Sequence, residues 1–283
     1  MGRLLIYKGV LFVDDFESAV SVSQRVDFVR KCIQKRKVAL AGRPRVRSLA
    51  LSIASSPTKE LNAVVLGNSL VGYGDKISLE NMAIIENLIT MSKMEATYEV
   101  SDSKDPKAWY HAFTKCMEEL GCFVPDKGYS KYSATSLKVT MDNVMVDIIQ
   151  AAVEAAKAAI PGASVLSAVT SSTLDALKKE PEAINLLNLE SKNAEGVRLS
   201  TIPCEQMANG IILIAIGAVD HQGGGKDGGL LFVDWKTSSL DIFHGKSFIT
   251  FNPVRYAEIK SDIEEYLGVH RKEVLVKRFS RRK

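Results

Sequence analysis

The sequence predicts a single layered α/β domain spanning residues 1–283, with helices packed around a central, mostly antiparallel sheet. Three observations predict it. Apolar residues recur at helical spacing through the first two-thirds of the chain. From residue 197 onward, short apolar runs bounded by Gly, Asp and Asn take over. One of these, Ile211-Ile212-Leu213-Ile214-Ala215-Ile216, is apolar on both faces, the mark of a central strand covered on both sides.

Phe16 to Lys35 places Val20, Val26, Val29 and Ile33 at three- and four-residue steps between Arg25, Arg30 and Lys31, which predicts an outer amphipathic helix. Ser78 is an N-cap residue for a helix through Met82, Ile85, Leu88, Ile89 and Met91. Pro106 suits the first turn of a helix carrying Trp109, Phe113, Cys116 and Leu120, and Gly121 ends it. Asp142 or Asn143 opens the clearest helix, with Val144, Ile148, Ala152 and Ala155 on one side and Pro161-Gly162 as its stop. Ala163 to Lys179 reads as a second helix, rich in Ser, Thr and Ala, whose small face suits close packing.

Val197–Ile202, Gly210–Val219, Gly229–Trp235 and Ser247–Phe251 are then the predicted strands, and residues 221–228 the hairpin loop between two of them. Tyr256–Leu267 returns to helix, and Glu273–Phe279 reads as a last edge strand. Residues 277–283 form a basic tail, which reads as a solubilising end or a contact for anionic lipid headgroups.

Composition narrows the function classes. With 46% hydrophobic and 25% charged residues the chain is globular rather than disordered. A net charge of +4, with both signs mixed along most of the chain, gives no nucleic-acid signature, and no nucleic-acid partner is expected. Cys32, Cys116, Cys122 and Cys204 form neither a disulfide framework nor a zinc spacing, so reduced thiols and no metal are expected. No apolar run approaches the ~20 residues of a transmembrane helix. No signal peptide precedes Asp14 and Asp15, so synthesis in the cytoplasm is expected.

Familiar catalytic motifs fail in particular places. Gly223-Gly224-Gly225-Lys226 lacks the Ser or Thr after the Lys that a phosphate-binding loop needs, because Asp227 follows. No nucleotide is expected. Gly67-Asn68-Ser69-Leu70-Val71-Gly72 nearly spells a nucleophile elbow but has Val71 where the second glycine belongs, and it is given no catalytic weight. His111, His221, His244 and His270 are scattered, and Trp109, Tyr110 and Phe113 at helical spacing read as core. No enzyme is expected.

Cys204, in Thr201-Ile202-Pro203-Cys204-Glu205-Gln206 at the junction before the most apolar strand, reads in two ways. It is a small buried hydrophobe, or a thiol facing an apolar cavity where it carries an acyl chain. Burying such a chain gains roughly 0.8 kcal/mol per methylene.

One series of elements carries a resemblance. It runs from Trp109-Tyr110, Phe113, Cys116 and Leu120-Gly121-Cys122-Phe123 to the helix opening at Asp142-Asn143-Val144. The small-residue segment 163–177 follows, then a cysteine ahead of Ile211–Ile216. Over roughly residues 80 to 260 this resembles the Erwinia virulence factor family, bacterial proteins associated with persistence in insect guts. More distantly it is similar to the cytolytic delta-endotoxins. The resemblance implies helices around a central sheet and a palmitate-like fatty acid bound by thioester to a central cysteine. Cys204 is the residue carried over, because Cys32 lies in an outer helix and Cys116 and Cys122 flank a helix end. It further implies a virulence factor acting outside the bacterial cell, with host membrane lipid as its partner. A non-covalent lipid-binding or pore-forming protein is the alternative. A cysteine-dependent acyl hydrolase or transferase, using Cys204 with a distant His, is the second alternative.

Overall fold

The computed structural model describes residues 19–41, 62–100, 105–133, 138–157, 160, 162–223, 231–236, 240–270 and 276–279. Its elements, in order, are α1 (Val22–Ala41), β1 (Ala63–Leu66), β2 (Ser69–Tyr73), α2 (Leu79–Glu99), α3 (Pro106–Glu119), β3 (Gly128–Lys131), β4 (Lys138–Val139), α4 (Met141–Lys157), α5 (Val165–Leu177), α6 (Pro181–Lys192), β5 (Leu199–Gln206), β6 (Ile212–Gly223), β7 (Trp235–Lys236), β8 (Leu240–Phe251), a 3₁₀ turn (Pro253–Glu258), α7 (Lys260–His270) and β9 (Val276–Phe279).

Seven strands make the central sheet, in the order β3-β8-β6-β5-β2-β1-β9. Every neighbouring pair is antiparallel except β2–β5, which is parallel. This is the layered α/β architecture that the sequence predicts. β6 shows why it needs cover on both sides. Ile212, Ile214, Ile216 and Ala218 face the cluster built by α1, α2, α3 and α7, while Leu213, Ala215 and Val219 face clusters built by α4, α5 and α6. A strand with period two and no polar side can be satisfied only by a helical layer on each face.

Ser78 caps α2 as predicted, accepting a hydrogen bond from the Asn81 N–H, and Pro106 opens α3 as predicted, with Asp105, not predicted as a cap, accepting from Ala108. α4 opens at Met141, ahead of the expected Asp142 or Asn143. Gly121, at φ 98°, ends α3 in the left-handed region that glycine tolerates. The small-residue helix does pack closely on the sheet: a Cβ at Gly72 of β2 would stand 2.2 Å from Thr173 Oγ1 of α5. The last strand, β9, is an edge strand as expected, paired with β1.

Three expectations need correction. The first two-thirds is mainly helical, as expected, but it also holds a buried hairpin, β1–β2, over residues 63–73. The near-elbow string supplies its turn, with Gly67 at φ 57° in the first central place, which type II′ turns reserve for glycine. Residues 229 and 230 of the run Gly229–Trp235 lie outside the described residues, and among those described only Trp235 enters a strand, β7, which pairs with β4 in a separate two-stranded ribbon. His221, read as loop, continues β6 to Gly223, and residues 224–228 of that loop lie outside the described residues. Cys204 is not at a junction: β5 runs on to Gln206, so the cysteine sits well inside it. The missing N–H of Pro203 hides this continuity in the sequence. The β5–β6 pairing breaks at Ile202 and Pro203 and resumes in register at Cys204↔Ile214. α6, too, was not legible as a helix in the sequence. Of the expected outer helix, residues 16–18 lie outside the described residues, as does the tail beyond residue 279.

Candidate functional site

Cys204 lies near the middle of the sheet, with Tyr73 of β2 on one side and Ile214 of β6 on the other. It has no exposed surface and belongs to the largest apolar cluster. Its Sγ donates at 3.5 Å to the Ile202 carbonyl. Burial pushes the thiol well above the usual cysteine range, and the nearby Glu205 carboxylate pushes the same way. Such a cysteine is a thiol rather than a thiolate at neutral pH. Along β6, His221 lies seven residues beyond the strand position paired with Cys204, roughly 23 Å away by the rise of a strand. His244, on β8 and paired with Val219, is offset roughly 17 Å along the strands by the same rise and lies two strands across. The sheet therefore does not bring either of these histidines to the sulfur.

The same face carries a second group that the sequence left apart. Because β2 and β5 run parallel and in register, Ser69 faces Ser200, Val71 faces Ile202 and Tyr73 faces Cys204. The Ser69 and Ser200 hydroxyl oxygens are 2.6 Å apart and buried. Lys93 reaches this pair from α2, its Nζ 3.0 Å from Ser69 Oγ and 3.0 Å from the Leu66 carbonyl. Asn68 completes the cradle. Its Oδ1 accepts from Lys93, its Nδ2 donates to the Val197 carbonyl at 2.7 Å, and its own carbonyl accepts from the Ser200 N–H at 3.1 Å. One turn residue thus ties the hairpin, the start of β5 and the lysine together.

Burial pulls the Lys93 ammonium down to about 7, with Glu190 of α6 opposing the shift. Lys93 Nζ donates to all three of its neighbours, the Leu66 carbonyl, Asn68 Oδ1 and the Ser69 hydroxyl.

Two cavities meet at Lys93. The outer one, about 220 Å³, opens to solvent between Arg36, Thr90, Thr97, Trp109 and Glu190. The inner one, about 10 Å³, lies against Ser69, Ser200, Phe113 and Ile216 and presents only apolar surface. Lys93 and Trp109 border both. The indole donates to Thr97 Oγ1 at 2.9 Å and stacks on Phe113 at 5.6 Å between ring centroids. Gly196, at φ 81°, lets the chain pass flat against it, since a Cβ there would meet the indole at 2.2 Å. Trp109, Tyr110 and Phe113 are core residues, as their spacing predicts. Trp109 is also the wall between the two cavities.

A sequence signal for Lys93 existed. Met82, Ile85, Ile89, Lys93 and Ala96 follow three- and four-residue steps, so a lysine interrupts the apolar stripe of α2. Ser69 was visible only as part of a failed motif. Its pairing with Ser200, 131 residues away, had no local signal.

Among the described residues, no group of three or more His, Cys, Asp or Glu side chains could hold a metal ion, and no helix is long and apolar enough to cross a membrane. Set against known families and curated proteins, the chain matches no family model and no curated protein.

Proposed function

We propose that this protein carries a fatty acyl chain by thioester on Cys204 and acts at host-cell membranes, those of the insect gut in the reading its sequence resemblance gives. The observation that carries the proposal is the row formed by β2 and β5. Cys204 and Ser200 lie on one face of the same strand, four residues apart, and the two cavities begin at the Ser200 end. A chain extending from Cys204 along Ile202 and Val71 would run through apolar core toward the space beside Lys93 and Trp109. Each methylene placed there instead of in water gains roughly 0.8 kcal/mol. Cys204 itself does not line either cavity. Acylation therefore requires neighbouring side chains of α2 and α3 to shift.

The test is the intact mass of protein from its native host before and after neutral hydroxylamine, which cleaves thioesters. The expected result is an excess the size of a fatty acyl group, removed by the treatment and absent in Cys204→Ala, together with vesicle binding that the variant loses. An unmodified mass overturns the proposal.

The inert, protonated state of Cys204 favours a second reading, non-covalent lipid binding or pore formation in which the cysteine only packs. Vesicle leakage that survives Cys204→Ala selects it. Hydrolysis or acyl transfer by Cys204 has the least support, since a suppressed thiolate is a poor nucleophile.

A further inference from the structure

We propose that the β4–β7 ribbon is an acid-released latch, seated over two histidines, His221 and His244, that lie side by side on the sheet. Val219 pairs with His244, and His221 pairs with Ile242. The two imidazoles therefore occupy diagonal positions on one face of the β6–β8 pair, with Cα atoms roughly 7–8 Å apart. It is the face covered by α4, since Val219 and Ile242 belong to the cluster that α4, α5 and α6 build. Each imidazole meets an aromatic ring. Trp235 of the ribbon lies against His221 with ring centroids 5.4 Å apart, and Tyr132, the residue after β3, meets His244 edge-on at 6.0 Å. The Tyr132 hydroxyl in turn donates to Asp147 of α4.

A neutral imidazole suits this place and a charged one does not. His244 Nδ1 is buried and has no hydrogen-bond partner. In the neutral ring that nitrogen can remain a bare acceptor. In the imidazolium both ring nitrogens carry protons, and a charged N–H is left in the core with nothing to accept it. Burial, and after it the Lys246 ammonium on the same face of β8, hold His244 below the ordinary histidine range. A charge on His221 would add a like charge on the diagonal. The nearby carboxylates are engaged elsewhere. Asp147 is exposed and accepts from Tyr132, Asp142 of α4 pairs with Lys178, and Asp234 pairs with Lys138 of the ribbon, whose other strand carries Lys236. Asp220 and Asp241 alternate to the opposite face, where they pair with Arg198 and Lys131.

Lifting the ribbon removes the obstacle. Both imidazoles then reach water, where a histidine titrates near pH 6.5. The lifted state binds protons that the seated state excludes, so acid favours it. Each histidine shifts the balance by up to about tenfold per pH unit below 6.5, and the two together by up to about a hundredfold. Above that pH neither ring is charged, and the ribbon stays seated. Val139 and Trp235 leave with the ribbon, which uncovers Val219 and Ile242 at that end of the sheet. The latch lies on the opposite face of the sheet from Cys204 and works whether or not that residue is acylated.

The test follows tryptophan emission and far-UV circular dichroism of the full chain as the pH falls from about 7 to about 5. Trp235 and Trp109 are the two tryptophans of the chain, and Trp109→Phe isolates the first. The emission maximum should move to longer wavelength, the mark of an indole entering water, while the circular dichroism holds. Quenching by an imidazolium lowers intensity and leaves the maximum in place, so the wavelength is the readout. His221→Phe with His244→Phe keeps a ring in each place and cannot be charged, and it should abolish the shift. An emission maximum that stays constant down to about pH 5 in the native protein overturns the proposal, whether or not any variant folds. So does a shift that survives in the double variant, and so does one that comes only with loss of the circular dichroism, because acid would then be unfolding the whole chain.

Discussion

Ser69 Oγ and Ser200 Oγ stand 2.6 Å apart across the parallel strand pair β2–β5, both removed from water. A hydroxyl buried beside another is stable only while each has its partner, so the pair is an energetic unit. Ser200→Ala leaves Ser69 with only Lys93, and Ser69→Ala leaves both Ser200 and the lysine short of a partner. Each single change should cost about 1–3 kcal/mol, with Ser69→Ala the larger. The double variant should cost less than the two together, by about 0.5 kcal/mol or more, because the second change removes a group already stranded. Urea unfolding of the four proteins measures this coupling. Strict additivity would show that the two hydroxyls do not interact.

Close packing of α5 on the sheet yields a second expectation. Gly72 has an ordinary backbone conformation, so the obstacle to a side chain there is packing, and the nearest atoms are those of Thr173. Gly72→Ala should destabilise the protein by about 1–3 kcal/mol through overpacking. Thr173 Oγ1 makes no hydrogen bond, so Thr173→Ala should by itself cost little beyond lost packing. Combining the two should recover most of the Gly72→Ala loss in a melting experiment. If it does not, the strain lies in the backbone rather than in this contact.

These pairs mark where the sequence was readable and where it was not. Ser78, Pro106 and Gly121 announce helix ends through their own chemistry, and Ile211–Ile216 announces a covered strand through its composition. That information is local, and it was enough for the layered fold. The hairpin of residues 63–73 was obscured because its strands are four and five residues long, too short for a period to stand out. Pro203 disguised the length of β5. The Ser–Lys group is made by a parallel pairing between residues 131 positions apart, which no window of sequence contains. Cys204 was found as a central cysteine. What surrounds it, a packed core reaching toward a cavity at Ser200, came only from the register.

The four cysteines give a third expectation. All are free and buried, and burial pushes each thiol above its ordinary range; for Cys32 the Glu95 carboxylate adds to it. Ellman's reagent should therefore react slowly with the folded protein and rapidly with four thiols in urea. The sign of the pH effect follows. In the unfolded chain the thiols ionise near pH 9, while in the folded protein they keep their protons. The unfolded state thus binds fewer protons above about pH 9, and stability should fall as the pH rises further. A fast-reacting thiol in the folded protein would mean that one cysteine is reachable from solvent.

Lys93 should act in the opposite direction over a lower range. Its side chain lies half-buried beneath the β1–β2 turn at the edge of the outer cavity, and burial brings the amine from 10.5 down to about 7. Between about pH 7 and 10.5 the unfolded lysine is protonated and the folded one largely is not, so the unfolded state binds more protons and stability rises with pH. Below about pH 7 both states are charged, and the folded protein bears the full penalty of the buried ammonium. The thiols reverse the trend above about pH 9, so the clean window is pH 7 to 9. The measurement is the melting temperature from about pH 6 to 9 for the native protein and for Lys93→Met, which has no charge to bury. The difference between the curves should be flat up to about pH 7 and then move in favour of the native protein. Curves that run parallel throughout would mean that Lys93 keeps the pKa of a solvated lysine.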